Sequence, residues 1–295
     1  MVLSPAAVVE AVAVAVAGRY VFPEAGTALA AELRARAAAG AYDQLAGPTL
    51  GEQVTADMFA GCADHHLRLR WRERPVADPV VAAAESERRY REKLRRGAGG
   101  VRRVQTLGAG VALVELTQVG PPQWVGADLA AAFQLVAGAS ALLLDLRTNP
   151  GGTPEGAALV CSYLLPAPST HVNTVHSGDG VSRQFWTTPW LPAPPFLDRP
   201  VWVLTGPETF SGAEEVAYNL QAMGRATVVG ERTRGGAHPT DRVWLDPQHE
   251  LMLPVGRSVN PVTGANWEGV GVRPDVEVPA AEAETTAVQL AHAAR

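Results

Sequence analysis

Two strand–glycine–helix units constrain this chain more than any other feature. Residues 141–147, ALLLDLR, make an apolar run that ends in the turn cluster Thr148-Asn149-Pro150-Gly151-Gly152. A helical pattern then opens at Thr153, a good N-cap, with Pro154 at the first helical position. Residues 201–205, VWVLT, repeat the plan. They turn through Gly206-Pro207, and after Ser211-Gly212 the apolar residues Ala213, Val216, Ala217 and Leu220 recur at helical spacing. Repeated units of this kind predict parallel strands with helical crossovers, an α/β fold. In such sheets ligands sit beyond the carboxyl ends of the strands.

Ser211 has two physical uses at a strand-to-helix turn. With Glu214 it forms S-x-x-E, a capping box. It also suits a nucleophile, because the free N–H groups and dipole of a helix start favour a nearby anion. Gly212 fits the second use, since its N–H approaches a substrate with no side chain in the way. If the two strands are neighbours, Gly151 or Gly152 supplies a second N–H from the first loop, and an oxyanion hole results. A phosphate loop is disfavoured, because neither G-K-[ST] nor G-x-G-x-x-G follows.

Composition excludes several classes. Charged residues are 19% and hydrophobic residues 47% of 295, which is globular rather than disordered. The net charge is −5, and the one basic cluster, Arg88–Arg103, is interleaved with Glu92 and preceded by Glu85 and Glu87, so no nucleic-acid partner is expected. Val8–Gly18 carries Glu10 and lacks a basic leader, so it reads as a helix of the mature domain. No membrane span is expected, and the cytoplasm is the expected compartment. Cys62 and Cys161 read as buried small residues rather than a disulfide or a nucleophile. Neither H-E-x-x-H nor C-x-x-C occurs, and adjacent residues such as Asp64, His65 and His66 converge poorly on a metal. No metal and no cofactor are expected.

Three sections follow along the chain. Residues 1–75 read as a helical unit, with a third helix from Thr55 to about His65. Residues 76–100 read as a charged helix and linker. Residues 101–295 read as the α/β core. Residues 181–200 hold five prolines and four aromatics, too many prolines for a central strand. They read as a stiff loop packed on the core or as an aromatic wall of a crevice, with Phe185, Trp186 and Trp190 as substrate-binding candidates.

LDLRTNPGG, then TFSGAEE, then VVGERTRGGAHP together resemble the S41 peptidase family. Asp64-His65-His66-Leu67 matches a D-x-H-L motif, and NPVTGANWEGVGVRPD resembles the branch that contains the interphotoreceptor retinoid-binding protein repeats. The resemblance runs from about residue 10 to about residue 280. It implies an S41/crotonase-like α/β core with an N-terminal helical subdomain. The span between His66 and Asp145 is already filled by a helix and strands, so no PDZ domain is expected. The resemblance places Ser211 at the nucleophile, His66 at the general base with His65 in reserve, and Glu268 at the acid that orients the base. Gly212 with Gly151 or Gly152 falls in the oxyanion region. The family's processing proteases use a lysine near Arg232–Gly236, where this chain has none; Lys93, its only lysine, lies elsewhere. A Ser–Lys dyad is therefore unavailable and a Ser–His arrangement is implied.

A serine hydroxyl needs a base in hydrogen-bond reach, neutral imidazole serves at pH 7, and a carboxylate fixes the imidazole tautomer. His238 in G-A-H-P is left outside the catalytic set. The implied activity is a serine hydrolase acting on a peptide or small acyl substrate through an acyl-enzyme. A hydrophobic-ligand binding protein on the same fold and a biosynthetic acyl-transfer or cyclising enzyme stay open, as does a homo-oligomer.

Overall fold

The computed structural model describes residues 2–166 and 169–294. In chain order the helices are α1 (Pro5–Arg19), α2 (Pro23–Ala38), α3 (Gly47–Cys62), α4 (Pro79–Arg96), α5 (Pro122–Val136), α6 (Pro154–Ser162), α7 (Gly212–Ala222) and α8 (Ala283–Ala293). The strands are β1 (Arg68–Trp71), β2 (Val101–Thr106), β3 (Val111–Leu116), β4 (Ala141–Asp145), β5 (His171–Ser177) and β6 (Ser182–Trp186). After them come β7 (Val201–Thr205), β8 (Thr227–Gly230), β9 (Thr240–Trp244), β10 (His249–Pro254), β11 (Gly256–Val259) and β12 (Val276–Glu277). These elements fall into two compact units, one of Met1–Arg88, Val175–Arg183 and His238–Ser258, the other of Arg89–Thr174, Gln184–Ala237 and Val259–Arg295. The chain passes between them within α4, β5, β6 and β11 and just before Thr240.

The first unit packs α1–α3 on the antiparallel sheet β1-β10-β9. Ser4 caps α1 by accepting from the Ala7 N–H, and Pro5 supplies a preset φ at the first turn. Val8, Val12 and Val16 then recur at helical spacing and are fully buried with Leu33, Val54, Leu251 and Leu253. Each such side chain contributes roughly 1.5–3 kcal/mol by leaving water. Residues 238–258, read from the sequence as part of the 101–295 core, therefore belong with the N-terminal helices. β10 pairs with β1, and its leucines complete that core.

The third helix also differs from its sequence reading. It begins at Gly47, not Thr55, and ends at Cys62 rather than His65. Ala63 stops it in the left-handed region, at φ 52°, which reverses the chain and places Asp64–His66 in the turn before β1.

The second unit is a six-stranded sheet in the order β12-β8-β7-β4-β3-β2. β3, β4, β7, β8 and β12 are parallel, and β2 is antiparallel to β3. β4 and β7 are buried at every residue, as expected of strands covered on both faces. Alternate residues Leu113, Leu143, Trp202, Leu204 and Val229 pack on Ala283, Ala287 and Ala291 of α8. Leu142–Asp145 pairs in register with Val201–Leu204, so the loops after β4 and β7 leave the same end of the sheet side by side. Only α4, β2, β3, α5 and a 3₁₀ turn lie between β1 and β4, and no PDZ domain is evident among the described residues. Among them, too, no helix is long and apolar enough to cross a membrane.

Candidate functional site

The two glycine loops are tied together by backbone and by Asn149. This residue is fully buried; its Nδ2 donates to Leu116 O (2.9 Å) and its Oδ1 accepts from Gly151 N (2.9 Å). Its carbonyl accepts from Phe210 N at 3.0 Å, which locks the first loop to the residue before Ser211. Gly151 has φ 101°, and a Cβ there would come within 2.6 Å of Phe210 O and 2.8 Å of Ser211 Cβ. At Gly152 a Cβ would meet Val119 O at 1.6 Å, so only glycine fits.

Ser211 stands at the N-cap of α7, yet its side chain makes no capping hydrogen bond. The backbone explains why. An N-cap residue normally has extended angles, whereas Ser211 has φ 54°, ψ −121°. Those are the angles of the first central residue of a type II′ turn, a glycine position. Ala213 N donates to Phe210 O at 3.1 Å and closes that turn. A serine held there stores strain of about 1–3 kcal/mol. The reciprocal limb of the capping box is made, from Ser211 N to Glu214 Oε2 at 2.8 Å.

Gly152 and Gly212 lie against one another. A methyl added at Gly212 would lie 3.1 Å from the Gly152 nitrogen. Among the described residues neither N–H has an acceptor. The Gly151 N–H, in contrast, is spent on Asn149. Of the two sequence candidates, Gly152 is thus the one with a donor to offer.

Glu214 is fully buried and accepts four hydrogen bonds. Oε1 takes Thr233 Oγ1 (2.5 Å) and Gly235 N (2.6 Å), while Oε2 takes Gly236 N (2.9 Å) besides Ser211 N. Burial pushes its carboxyl above the usual range, and the bonds from Thr233, Gly236, Gly235 and Ser211 offset part of that shift. The next loop joins the same framework. Trp267 Nε1 donates to Gly236 O at 2.7 Å, and the Ala237 N–H makes a short hydrogen bond to Glu268 Oε2. Glu215, the next residue of α7, is a buried carboxyl of another kind. Burial, opposed by the Asn173 Nδ2 bond (3.0 Å) and reinforced by Glu155, pushes it up to about 8.

His66 belongs to the first unit, where Asp64 fixes its turn. The Asp64 Oδ1 accepts the His66 N–H at 2.9 Å. Its Oδ2 accepts from Tyr20 Oη at 3.0 Å and contacts His238 Nδ1 at 2.7 Å. Burial alone would raise the Asp64 carboxyl, but the His238 bond and charge, with the His66 N–H and charge, hold it below the usual range. His65 lies with its ring 4.5 Å from that of Phe59. His238, set aside on sequence, is buried and braces Asp64, with its ring edge-on to Phe22.

The aromatic candidates divide. Phe185 is buried, whereas Trp186 is half exposed and stacks on His171 at 4.8 Å, and Trp190 is 88% exposed. Glu214 and Asp64 lie outside the candidates that the sequence singled out. The S-x-x-E spacing that flagged Glu214 also describes an ordinary cap, and no spacing predicts the Asp64–His238 pair, 174 residues apart.

Comparison with known proteins bears on this geometry. The model of peptidase family S41 matches residues 110–278. Over 98 residues the chain is 39% identical to a carboxyl-terminal-processing protease of Synechocystis sp., a stretch covering 33% of this chain and 22% of that protein. A protease of the same description from Picosynechococcus sp. is 31% identical over 142 residues, 48% of this chain and 33% of the relative. The matched parts thus span a third or less of those relatives. Among solved structures, a candidate peptidase from Parabacteroides merdae superposes with a TM-score of 0.71 at 18% identity, over 98% of this chain and 97% of that one. A lipoprotein from Streptococcus agalactiae gives 0.63 at 14% identity, over 100% and 98%. Both likenesses concern the fold.

Proposed function

The chain belongs to peptidase family S41, and from that premise we propose that it is a serine peptidase with Ser211 as nucleophile, His66 as general base and Glu268 as the carboxylate that orients the base. Ser211 Oγ attacks the acyl carbon of a peptide bond while His66 takes the hydroxyl proton. The oxyanion that forms is met by the N–H groups of Gly152 and Gly212. Collapse expels the amine, which leaves with the proton from the imidazolium, and water then releases the acyl group by the same steps.

The observation that carries this reading is the backbone of Ser211. A capping serine has no use for a strained type II′ position, whereas a nucleophile gains exposure from it. Two N–H groups beside that turn, without acceptors among the described residues, supply the electrostatic half of the reaction. His66 is preferred over His65 because Asp64 pins its backbone, while the His65 ring packs on Phe59. The only lysine, Lys93, is exposed on α4 in a different part of the chain, so the base is a histidine. That feature, the D-x-H-L turn and the lack of a PDZ domain among the described residues support placement in the retinoid-binding-protein-like branch. The exposed Trp186 and Trp190 suit contact with apolar side chains of a peptide, and Phe185 serves packing.

The test is covalent labelling with a fluorophosphonate. The wild-type protein should be modified at Ser211, located by peptide mass spectrometry. Ser211→Ala should abolish the adduct, His66→Gln should slow it, and His65→Gln should leave it. A folded wild-type protein that takes no label would remove the hydrolase reading in favour of ligand binding.

A further inference from the structure

One buried anion links three pieces of the proposed site. Glu214 holds the Ser211 N–H, and through Thr233, Gly235 and Gly236 it holds the loop whose next residue, Ala237, bonds to Glu268. Each carboxylate oxygen carries two donors, so the full acceptor capacity of an ionised carboxylate is used. Nothing about helix α7 requires this shell, because a cap needs only the Ser211 contact.

We propose that Glu214 is the positioning residue of the site: its ionised carboxylate holds Ser211 in the strained type II′ turn and fixes the 233–237 loop, and with it Glu268, in register with the nucleophile. The proposal rests on Ser211 being the nucleophile. Glu214 touches neither substrate nor reacting atom. Its work is to keep the Ser211 backbone where the relaxed chain would not leave it, and to make the nucleophile and the orienting carboxylate move together. A glutamine of the same shape fails at this, since its NH₂ group turns two hydrogens toward two donors. Protonation fails for the same reason, so the clamp releases as pH falls through a carboxyl that burial has raised.

The experiment separates inactivation rate from recognition. Fluorophosphonate labelling of Glu214→Gln is followed as a saturable process, giving the maximal rate kinact and the apparent affinity KI. The expected result is a fall in kinact of roughly 10²-fold, the usual consequence of a small misplacement, with KI held. The acid limb that Glu214 adds to the wild-type pH profile should also disappear. Hydrogen exchange at the Ser211, Gly235 and Gly236 amides should accelerate. A variant that loses thermal stability but labels at the wild-type kinact would overturn the proposal, because a merely structural carboxyl predicts that pattern. If Glu214→Gln does not fold, Thr233→Val removes one donor from Oε1 and leaves both bonds on Oε2. It should lower kinact about tenfold with KI unchanged, and an unchanged kinact overturns the proposal there too. If the wild-type protein itself takes no label, the nucleophile reading has failed. The clamp is then judged on amide exchange alone, and unchanged protection at those three amides in either folded variant counts against it.

Discussion

Replacing Ser211 by glycine should stabilise this protein, and replacing it by alanine should not. Alanine keeps the Cβ and so keeps the strain of φ 54°, ψ −121°. Glycine removes it, recovering about 1–3 kcal/mol. Against that gain stands the extra freedom of glycine in the unfolded chain, about 0.4–1 kcal/mol. The difference leaves Ser211→Gly more stable than wild type by roughly 1 kcal/mol, worth about 2–4 °C in Tm for a chain near this size. Ser211→Ala should fall within about 0.5 kcal/mol of wild type, because it keeps the turn and the bond from the residue 211 N–H to Glu214. The assay is urea unfolding of the three proteins with a check that the slope m is unchanged. Capping predicts a different order: alanine about 1 kcal/mol and glycine a few tenths below wild type. Glycine below wild type would therefore refute the strain argument, whatever alanine does. The expected order, with both variants unable to take a label, describes a residue kept for function at a cost in stability.

Two further perturbations test the surroundings of the turn. Gly212→Ala places a methyl 3.1 Å from the Gly152 nitrogen, so the two donors must separate by a few tenths of an ångström; turnover should fall by about 10²-fold or more at a stability cost of about 1–3 kcal/mol, and unimpaired turnover would mean that these N–H groups bind no oxyanion. Glu215 is pushed up to about 8 by burial, with Asn173 opposing and Glu155 adding. A folded-state value raised above an unfolded one near about 4.3 gives stability that is full below pH ~4 and lost as pH rises through about 8. Glu215→Gln should therefore match wild type in Tm near pH ~4 and exceed it at about pH 9, and parallel curves would show that this carboxyl does not titrate as its burial requires.

Much of the second unit was legible because short-range rules decide it. Val201–Thr205 is buried at every residue, as a continuous apolar run bounded by turn residues predicts. The glycine loops follow from turn chemistry. The first unit was harder, for identifiable reasons. Gly47-Pro48 and Gly51 look like a break, yet Pro48 sits in the first turn of α3, and Gly51 lets the helix approach Leu69 O, which a Cβ would meet at 3.1 Å. Ala63 ends the helix in a left-handed conformation that alanine seldom takes, so nothing in the sequence marks the stop. The union of 238–258 with the N-terminal helices depends on β10 pairing with β1, a contact set by no local pattern.

The ambiguity of Ser211 is of another kind, since the same four residues serve both readings. S-x-x-E encodes a carboxylate three residues past a serine, and either partner's N–H can be the one that matters. In a capping box the serine side chain bonds toward Glu214 N and the bond from Ser211 N to the glutamate is the supplement. Here the supplement is made at 2.8 Å, and the serine backbone departs from the extended angles of a cap. What sets this serine apart is the sign of one φ angle. It is imposed from outside the motif, by Asn149 O on Phe210 N and by the four-donor shell of Glu214. Those contacts reach 61 residues back and up to 22 residues forward along the chain, so no window centred on the motif contains them. A local pattern thus picks out Ser211 and Glu214, and long-range hydrogen bonds determine the backbone each of them takes.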